Sequence, residues 1–332
     1  MKLLHVKCCL FALLVVFAPA HAQTFPSKTI RIIVPYAPGG SIDLTARLIA
    51  KHLQDSVGQN VIVENKPGAN AAIGIETLVR SDADGHTLVL LSDSPVTMNV
   101  HLARLNYDPL TDLVPISKVV SSPIILAANP KAKIASIPDL IAAAKDKPLS
   151  YAVAGRGSAS HLAAELLQRE LGITMHAVPY RGGAPVAVAI ASGEVPLGLV
   201  DTAAILPMIS SGQVLALGVA EPVRAQSMPD IPTLSEAGVP SFSAPSWLAL
   251  FAPRGTPQDR IARLNAEIAK IMAMADAQRV LFAAGLEPAT NSPTEMRRII
   301  EADYKKWGQL IEASGLKAEC SLPPLDPRAE RL

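Results

Sequence analysis

Residues 35–43 read PYAPGGSID, between an apolar run, TIRIIV (29–34), and LTARLIAKHLQ (44–54). The second flank has helical spacing. Leu44, Leu48, Leu53 and Val57 fall on one side of a helix expected over 41–57, with Arg47, Lys51 and Asp55 elsewhere and Gly58 as its stop. The quoted stretch is therefore a strand-to-helix turn. It contains glycines, prolines, a hydroxyl and an acid, but no basic residue and no obvious nucleophile. Such a turn holds a ligand with backbone N–H groups, because glycine lets the chain come close and the helix start attracts anions. Asp43, early in the helix, is expected to interact with the positive end of its own helix. Loop amides and ordered water are then left to hold an anion just outside it.

Working outward, the alternation continues. VIVEN (61–65) reads as a strand, AAIGIETLVR (71–80) as a helix and HTLVLLS (86–92) as a strand. Short apolar strands alternating with helices predict a parallel sheet covered on both faces. The pattern restarts after a long extended stretch over 114–130. A helix opened by Ser136 is followed by a strand at 150–154 and a helix at 159–171. Then come a strand at 176–180, a helix at 184–192, a strand at 195–201, a helix at 202–210 and a strand at 214–220. SWLALFAP (246–253) is another long strand. The remainder is helical, with Thr256-Pro257-Gln258-Asp259 and Ser292-Pro293-Thr294-Glu295 as helix starts. Met296, Ile300, Tyr304, Trp307 and Ile311 form one stripe, read as core packing. The tail SLPPLDPRAERL is expected to be disordered. Two α/β units sharing long strands predict two doubly wound lobes that hinge over a cleft. The expected division is 23–121 with 250–332 for one lobe and 122–249 for the other.

The N-terminus reads as an export signal. Lys2 and Lys7 precede a short apolar core and Ala20-His21-Ala22, which predicts cleavage after Ala22 and a periplasmic location. Removing residues 1–22 leaves 310 of the 332 residues and only Cys320 of the three cysteines, so an internal disulfide is excluded. The formal charge moves from +1 to −1, because two lysines and no acid are lost. That balance gives no argument for nucleic acid.

In an open α/β sheet, ligands bind outside the carboxyl ends of the strands. The turns expected there supply the candidate residues. The first gives Ala37, Pro38, Gly39, Gly40, Ser41 and Asp43. The turn at 65–74 gives Asn70, and SDSP gives Ser92, Asp93 and Ser94. AGRGSASHL (154–162) gives Arg156, Gly157, Ser158, Ser160 and His161, while PYRGGAPV (179–186) and VDTAA (200–204) give Arg181, Asp201 and Thr202. Several small-residue turns running into helix starts point to a small anion held largely by amides. Enzyme signatures are weak. Gly155-x-Gly157-x-x-Ser160 lacks the third glycine of a dinucleotide fingerprint, and there is no Walker motif. Ser158, Ser160 and His161 are neighbours without a nucleophile elbow or third group. The histidines show no paired metal spacing, and no cofactor is indicated. His161 is read as a brace for its loop.

At these residues the chain resembles the receptors of the tripartite tricarboxylate transporter family, also called Bug receptors. The resemblance is carried by PSKTIRIIVPYAPGGSIDLTARLIA, VIVENKPGANAAIG, ADGHTLVLL, YDPLTDLVPIS, GSASHLAAELL, VPYRGGAPV, PTLSEAGVP and KKWGQLIEASGLK. It implies a type II periplasmic binding protein fold, with two lobes joined by crossing strands and closing like a flytrap. It also implies a small organic carboxylate as ligand and a two-component membrane transporter as partner. The first loop would bind a carboxylate through backbone groups and waters, and residues 157–161, with Asp201 nearby, would complete the site. The chain departs from the pattern at Asn70-Ala71-Ala72, where many relatives carry Gly-Gly-Asn, and at Arg156 and Asp93, charged where small or neutral residues are common. Arg156 is either a solvated rim charge or a fork for a second ligand carboxylate. A hydrolase using the same cleft and a ligand sensor docking on a membrane signalling protein are the alternatives.

Overall fold

The computed structural model describes residues 25–316, so the expected signal segment, Cys320 and the C-terminal tail lie outside it. In its first part β1 (Ile30–Val34), α1 (Ser41–Val57), β2 (Val61–Asn65), α2 (Ala72–Val79) and β3 (Thr87–Ser92) alternate. Two one-turn helices, α3 (Ser94–Thr97) and α4 (Asn99–Leu102), precede β4 (Leu113–Ser121). The second part comprises β5 (Ile124–Ala128), α5 (Ile137–Asp146), β6 (Leu149–Val153), α6 (Ala159–Leu171), β7 (Met175–Pro179), α7 (Gly183–Ser192), β8 (Leu197–Asp201), α8 (Thr202–Ser210) and β9 (Leu215–Val219). The chain returns through β10 (Trp247–Pro253), α9 (Gln258–Ala273), α10 (Ala275–Ala283), β11 (Glu287–Pro288) and α11 (Pro293–Ser314).

The strands form two sheets, ordered β11-β4-β10-β3-β1-β2 and β7-β6-β8-β5-β9. Alternation along each strand feeds two faces. Ile30 and Ile32 of β1 pack with Ile49 and Leu53 of α1 and with Ile261, Leu264 and Ile268 of α9. Ile33, next to Ile32 in sequence, turns to the other face and joins Ile75 and Leu78 of α2. The second sheet does the same. Leu126, Tyr151 and Leu199 pack on Leu162 and Leu167 of α6. Ile125, Ala127 and Val200 pack on Val186 and Ile190 of α7.

Two expectations need correction. Neither sheet is purely parallel: β10 is antiparallel to β3 and β4, and β5 is antiparallel to β8 and β9. A chain that leaves one sheet and later comes back must run against the strand that carried it out. The extended stretch 114–130 is also two strands rather than one. It breaks at Ser122–Pro123, where proline has no N–H to continue the ladder. The two passages between the sheets lie side by side. Ser122 N donates to Ser246 O at 2.9 Å, and Ser121 pairs with Trp247. Thr202 ties the passage to the second sheet, donating both its amide (2.9 Å) and its hydroxyl (2.7 Å) to Pro123 O.

Helix α11 spans both cores. Its first half places Met296 and Ile300 with the first sheet, and its second half places Trp307, Leu310 and Ile311 with the second. The apolar stripe expected there is thus split between two cores. Between the halves lies Asp303, buried, accepting 2.8 Å from the Trp247 indole Nε1. Burial pushes this carboxyl above its usual range, and the indole N–H pulls it back. Trp247→Phe should destabilise the fold by about 2–4 kcal/mol, from an unpaired buried acceptor and an unfilled volume. Asp303→Asn should cost less than about 1 kcal/mol, because the amide oxygen still accepts and no charge stays buried. Urea denaturation of both variants checks the order.

Candidate functional site

A cavity of about 290 Å³ opens between the sheets where the carboxyl ends of β1, β3, β6 and β8 meet. Ser41 and Ile42 bring the start of α1 to it, Ala159 brings the start of α6, and Asp201 the start of α8. The first intrahelical bond of α1 is Leu44 N to Gly40 O at 2.9 Å, so the amides of Ser41 and Ile42 precede the ladder. No side chain caps this helix start. The cavity is otherwise lined by hydroxyls and amides, among them Ser92, Ser94, Asn70, Asn99, Ser158 and Ser160.

Asp43 does more than interact with its own helix. Its Oδ2 accepts from Gly39 N (3.0 Å) and Arg47 Nε (2.9 Å), and its Oδ1 from Asn65 Nδ2 (2.9 Å). Asn65 Nδ2 also donates to Tyr36 O at 3.1 Å. One buried carboxylate therefore shapes the whole turn from behind, and the Gly39 amide is committed to it. The Arg47 guanidinium, with Asn65 and the Gly39 amide, holds this carboxyl down at about 2 against the opposing effect of burial. Of the two glycines, Gly39 needs its freedom, at φ +92°, whereas Gly40 is extended at φ −81° with open space where a Cβ would stand.

The next turn is strained. Ala69, Asn70 and Ala71 are successive non-glycine residues with φ of +46°, +51° and +76°. The left-handed region costs an L-residue about 1–2 kcal/mol, and such runs persist where surroundings hold them. Here Asn99 Nδ2 donates to Asn70 O at 3.4 Å, and Ser94 Oγ donates to Asn99 Oδ1 at 3.4 Å. From the second sheet, Gly157 has φ +72°, and a Cβ on it would stand 2.4 Å from Leu102 Cδ1 of α4. The loop therefore touches the first half of the chain at a glycine, where a Cβ would displace the Leu102 side chain. Behind it, Gly157 N donates to His161 Nδ1 at 3.0 Å, and Ser158 Oγ accepts from His161 N at 3.2 Å. His161 is buried and braces the loop. Burial and Arg156 lower its pKa, with Glu165 opposing. Ser158 Oγ and Ser160 Oγ contact each other at 3.0 Å, and the imidazole points at a backbone amide rather than at either hydroxyl.

The expected residues thus divide. Ser41, Asn70, Ser92, Asp93, Ser94, Arg156, Gly157, Ser158, Ser160 and Asp201 line the cavity. Ala37, Pro38, Gly39 and Gly40 form the exposed turn leading into α1, while Asp43 and His161 stand behind their loops. Thr202 is at the passage between sheets, and Arg181 is exposed away from the cavity lining. Sequence reasoning missed Tyr36, Ser122, Ser246 and Asn99. Tyr36 OH lies 2.9 Å from Ser92 Oγ, and burial pushes its pKa up to about 12. Ser122 and Ser246 had a signal. Each adjoins a proline, Pro123 or Pro245, that interrupts an extended run. Among the described residues no group of three or more His, Cys, Asp or Glu could hold a metal.

The sequence profile of the tripartite tricarboxylate transporter family receptor matches residues 45–316. The chain belongs to that family. It is 37% identical over 304 residues to the protein BugT of Bordetella pertussis, covering 90% of this chain and 93% of the relative. Among solved structures, R. palustris Rpa4515 with adipate superimposes with a TM-score of 0.79 at 32% identity, covering 88% of this chain and 98% of the other. MatC from Rhodopseudomonas palustris with bound malate gives 0.74 at 29%, covering 86% and 100%. The two-lobed α/β architecture of this receptor family, with a cavity between sheets, is the fold of this chain. The family is one of solute-binding receptors, in agreement with the reading from the loops.

The Asp43 hub sets a pH dependence. Its folded pKa of about 2 is below the ordinary 3.8, so its contribution is present above 3.8 and lost as pH falls toward 2. Arg47 is half exposed, which discounts the pair. Asp43→Asn should cost about 1–2 kcal/mol at pH 7, and urea midpoints of variant and wild type should converge between pH 4 and 2.

Proposed function

We propose that this receptor captures a small organic carboxylate between its two lobes, closes over it, and delivers it to a two-component membrane transporter of its family's type. The observation that carries this reading is the start of α1. Ser41 and Ile42 line the cavity with amides that precede the helix ladder, no side chain caps them, and the acid nearest them, Asp43, faces the other way. Such a helix start favours a carboxylate oxygen through both hydrogen bonding and the helix dipole. Ala159 brings the start of α6, capped by Ser158 at the His161 amide, to the opposite side, and the exposed Arg156 adds positive charge at the cavity mouth. The cavity volume suits a molecule of a few carbon atoms. The adipate and malate named with the two neighbours support the ligand class.

Closure follows from the connections. Two adjacent antiparallel passages, at Ser122–Pro123 and Ser246, are narrow enough to bend, and ligand bound to both lobes favours the closed arrangement. Export with cleavage after Ala22 belongs to the same reading, and N-terminal sequencing of periplasmic protein should begin at Gln23. An intact Met1 would contradict it.

The binding test uses melting temperature. A panel of mono- and dicarboxylates should yield at least one ligand that raises it by mass action. Gly40→Val should abolish that shift while the free protein melts normally, because a Cβ at Gly40 meets no protein atom within 4 Å. No response across the panel, alongside turnover of an ester or amide, would favour a hydrolase instead.

A further inference from the structure

The floor of the cavity differs from its mouth. At the mouth stand Ser41, Asn70 and Arg156, which are partly or fully exposed. At the floor, beside the passages between sheets, stand Asp93 and Asp201. Asp93 N donates to Trp247 O at 3.1 Å, next to Ser246. Asp201 pairs with Ile124, next to Pro123. Both acids line the cavity. Asp93 is 1% exposed, and neither of its carboxyl oxygens meets a hydrogen-bond donor in good geometry. Asp201 is at the N-cap position of α8, yet its side chain does not cap that helix. An N-cap aspartate ordinarily satisfies its own helix.

Asp93, buried with neither carboxyl oxygen in a well-aligned hydrogen bond, and the half-buried Asp201 on the same cavity are a costly arrangement in the free protein. A donor-rich cation would relieve it. An ammonium carries three N–H donors and no acceptor, which matches two carboxyls. A second ligand carboxylate would bring further negative charge to a corner where Asp303 of α11 and Asp201 already disfavour the charged form of Asp93.

We propose that Asp93 and Asp201 form an ammonium seat, so that the ligand is a small amino-carboxylate zwitterion, its carboxylate at the start of α1 and its ammonium at the floor. This inference rests on the receptor reading above and deepens it. It departs from one of the two readings of Arg156, the fork for a second ligand carboxylate, and agrees with the other, a charge at the rim. Along the cavity the uncapped start of α1 and the Arg156 guanidinium stand toward the mouth, and the two carboxyls stand toward the floor beside the start of α8.

The surroundings of Asp93 add a signature. Burial pushes its carboxyl up to about 8, with Asp303 and Asp201 acting in the same direction and the Ser246 hydroxyl and Ser94 amide opposing. Burial lifts Asp201 to about 6. Tyr36 after β1, Lys118 of β4, Glu221 after β9 and Lys306 of α11 are the other titratable groups of this region. An ammonium arriving beside Asp93 favours its charged form, so binding near pH 7.5 should release a proton. A dicarboxylate gives no such release.

The test is calorimetry of the mature receptor in buffers of different ionisation enthalpy. The probes are aminoalkanoates of two to six carbons and the monocarboxylates and dicarboxylates of equal length. At least one aminoalkanoate should bind tenfold or more tighter than both counterparts and release protons. In Asp93→Asn its advantage over the monocarboxylate should shrink to within threefold and the proton release should vanish. Asp93→Ser serves as the second variant should the asparagine variant fail to fold. A dicarboxylate binding tighter than its aminoalkanoate, or an unchanged preference in the folded variant, overturns the ammonium seat and leaves the receptor intact. Failure of all three classes to bind overturns both readings.

Discussion

Ser122 donates its amide to the carbonyl of Ser246, and the rest of the molecule is arranged about that contact. On one side of it Ser121 pairs with Trp247 and the first sheet begins. On the other side Pro123 receives both donors of Thr202 and the second sheet begins. Two lobes joined by two adjacent passages have their strand ends gathered at one line, and the helix starts that follow those strands face each other across it. The site is a consequence of the connection: α1, α6 and α8 each start at the cavity because β1, β6 and β8 each end there.

The loops obey a second constraint, which is that their amides must be held in place before a ligand arrives. The chain does this from behind. Asp43 gathers Gly39, Arg47 and Asn65; His161 takes the Gly157 amide; Asn99 reaches Asn70 across the strained turn. None of the first two groups lines the cavity through its functional side chain. They position what does, and they absorb conformational cost at Gly39 and Gly157, where φ is +92° and +72°.

Much of this was legible in the sequence. The alternation of apolar strands and amphipathic helices gave the two α/β units, and the small-residue turns marked the strand ends that meet at the cavity. What escaped did so for physical reasons. The role of Asp43 depends on Asn65, which is adjacent only once β1 and β2 pair through Val34 and Asn65. The one-turn helices α3 and α4 are too short to leave a periodic signal. The direction of β10 and β5 within their sheets is set by the return of the chain, not by local composition. Composition does not tell the two adjacent glycines apart: the conformational demand falls on Gly39, because Gly40 serves as the extended residue before the helix. Helix α11 reads as one stripe although it serves two cores, since a stripe carries no record of what it packs against.

The central claim is that a carboxylate is held at the start of α1 and enclosed from the second lobe. A crystal structure of the mature receptor with the tightest-binding carboxylate from the thermal panel tests it directly. Carboxylate density is expected within hydrogen-bond reach of the Ser41 and Ile42 amides, directly or through one water, with the 155–158 loop closing from the other side. Density for the same ligand seated in the groove between α6 and α11, with the α1 start untouched, would contradict it.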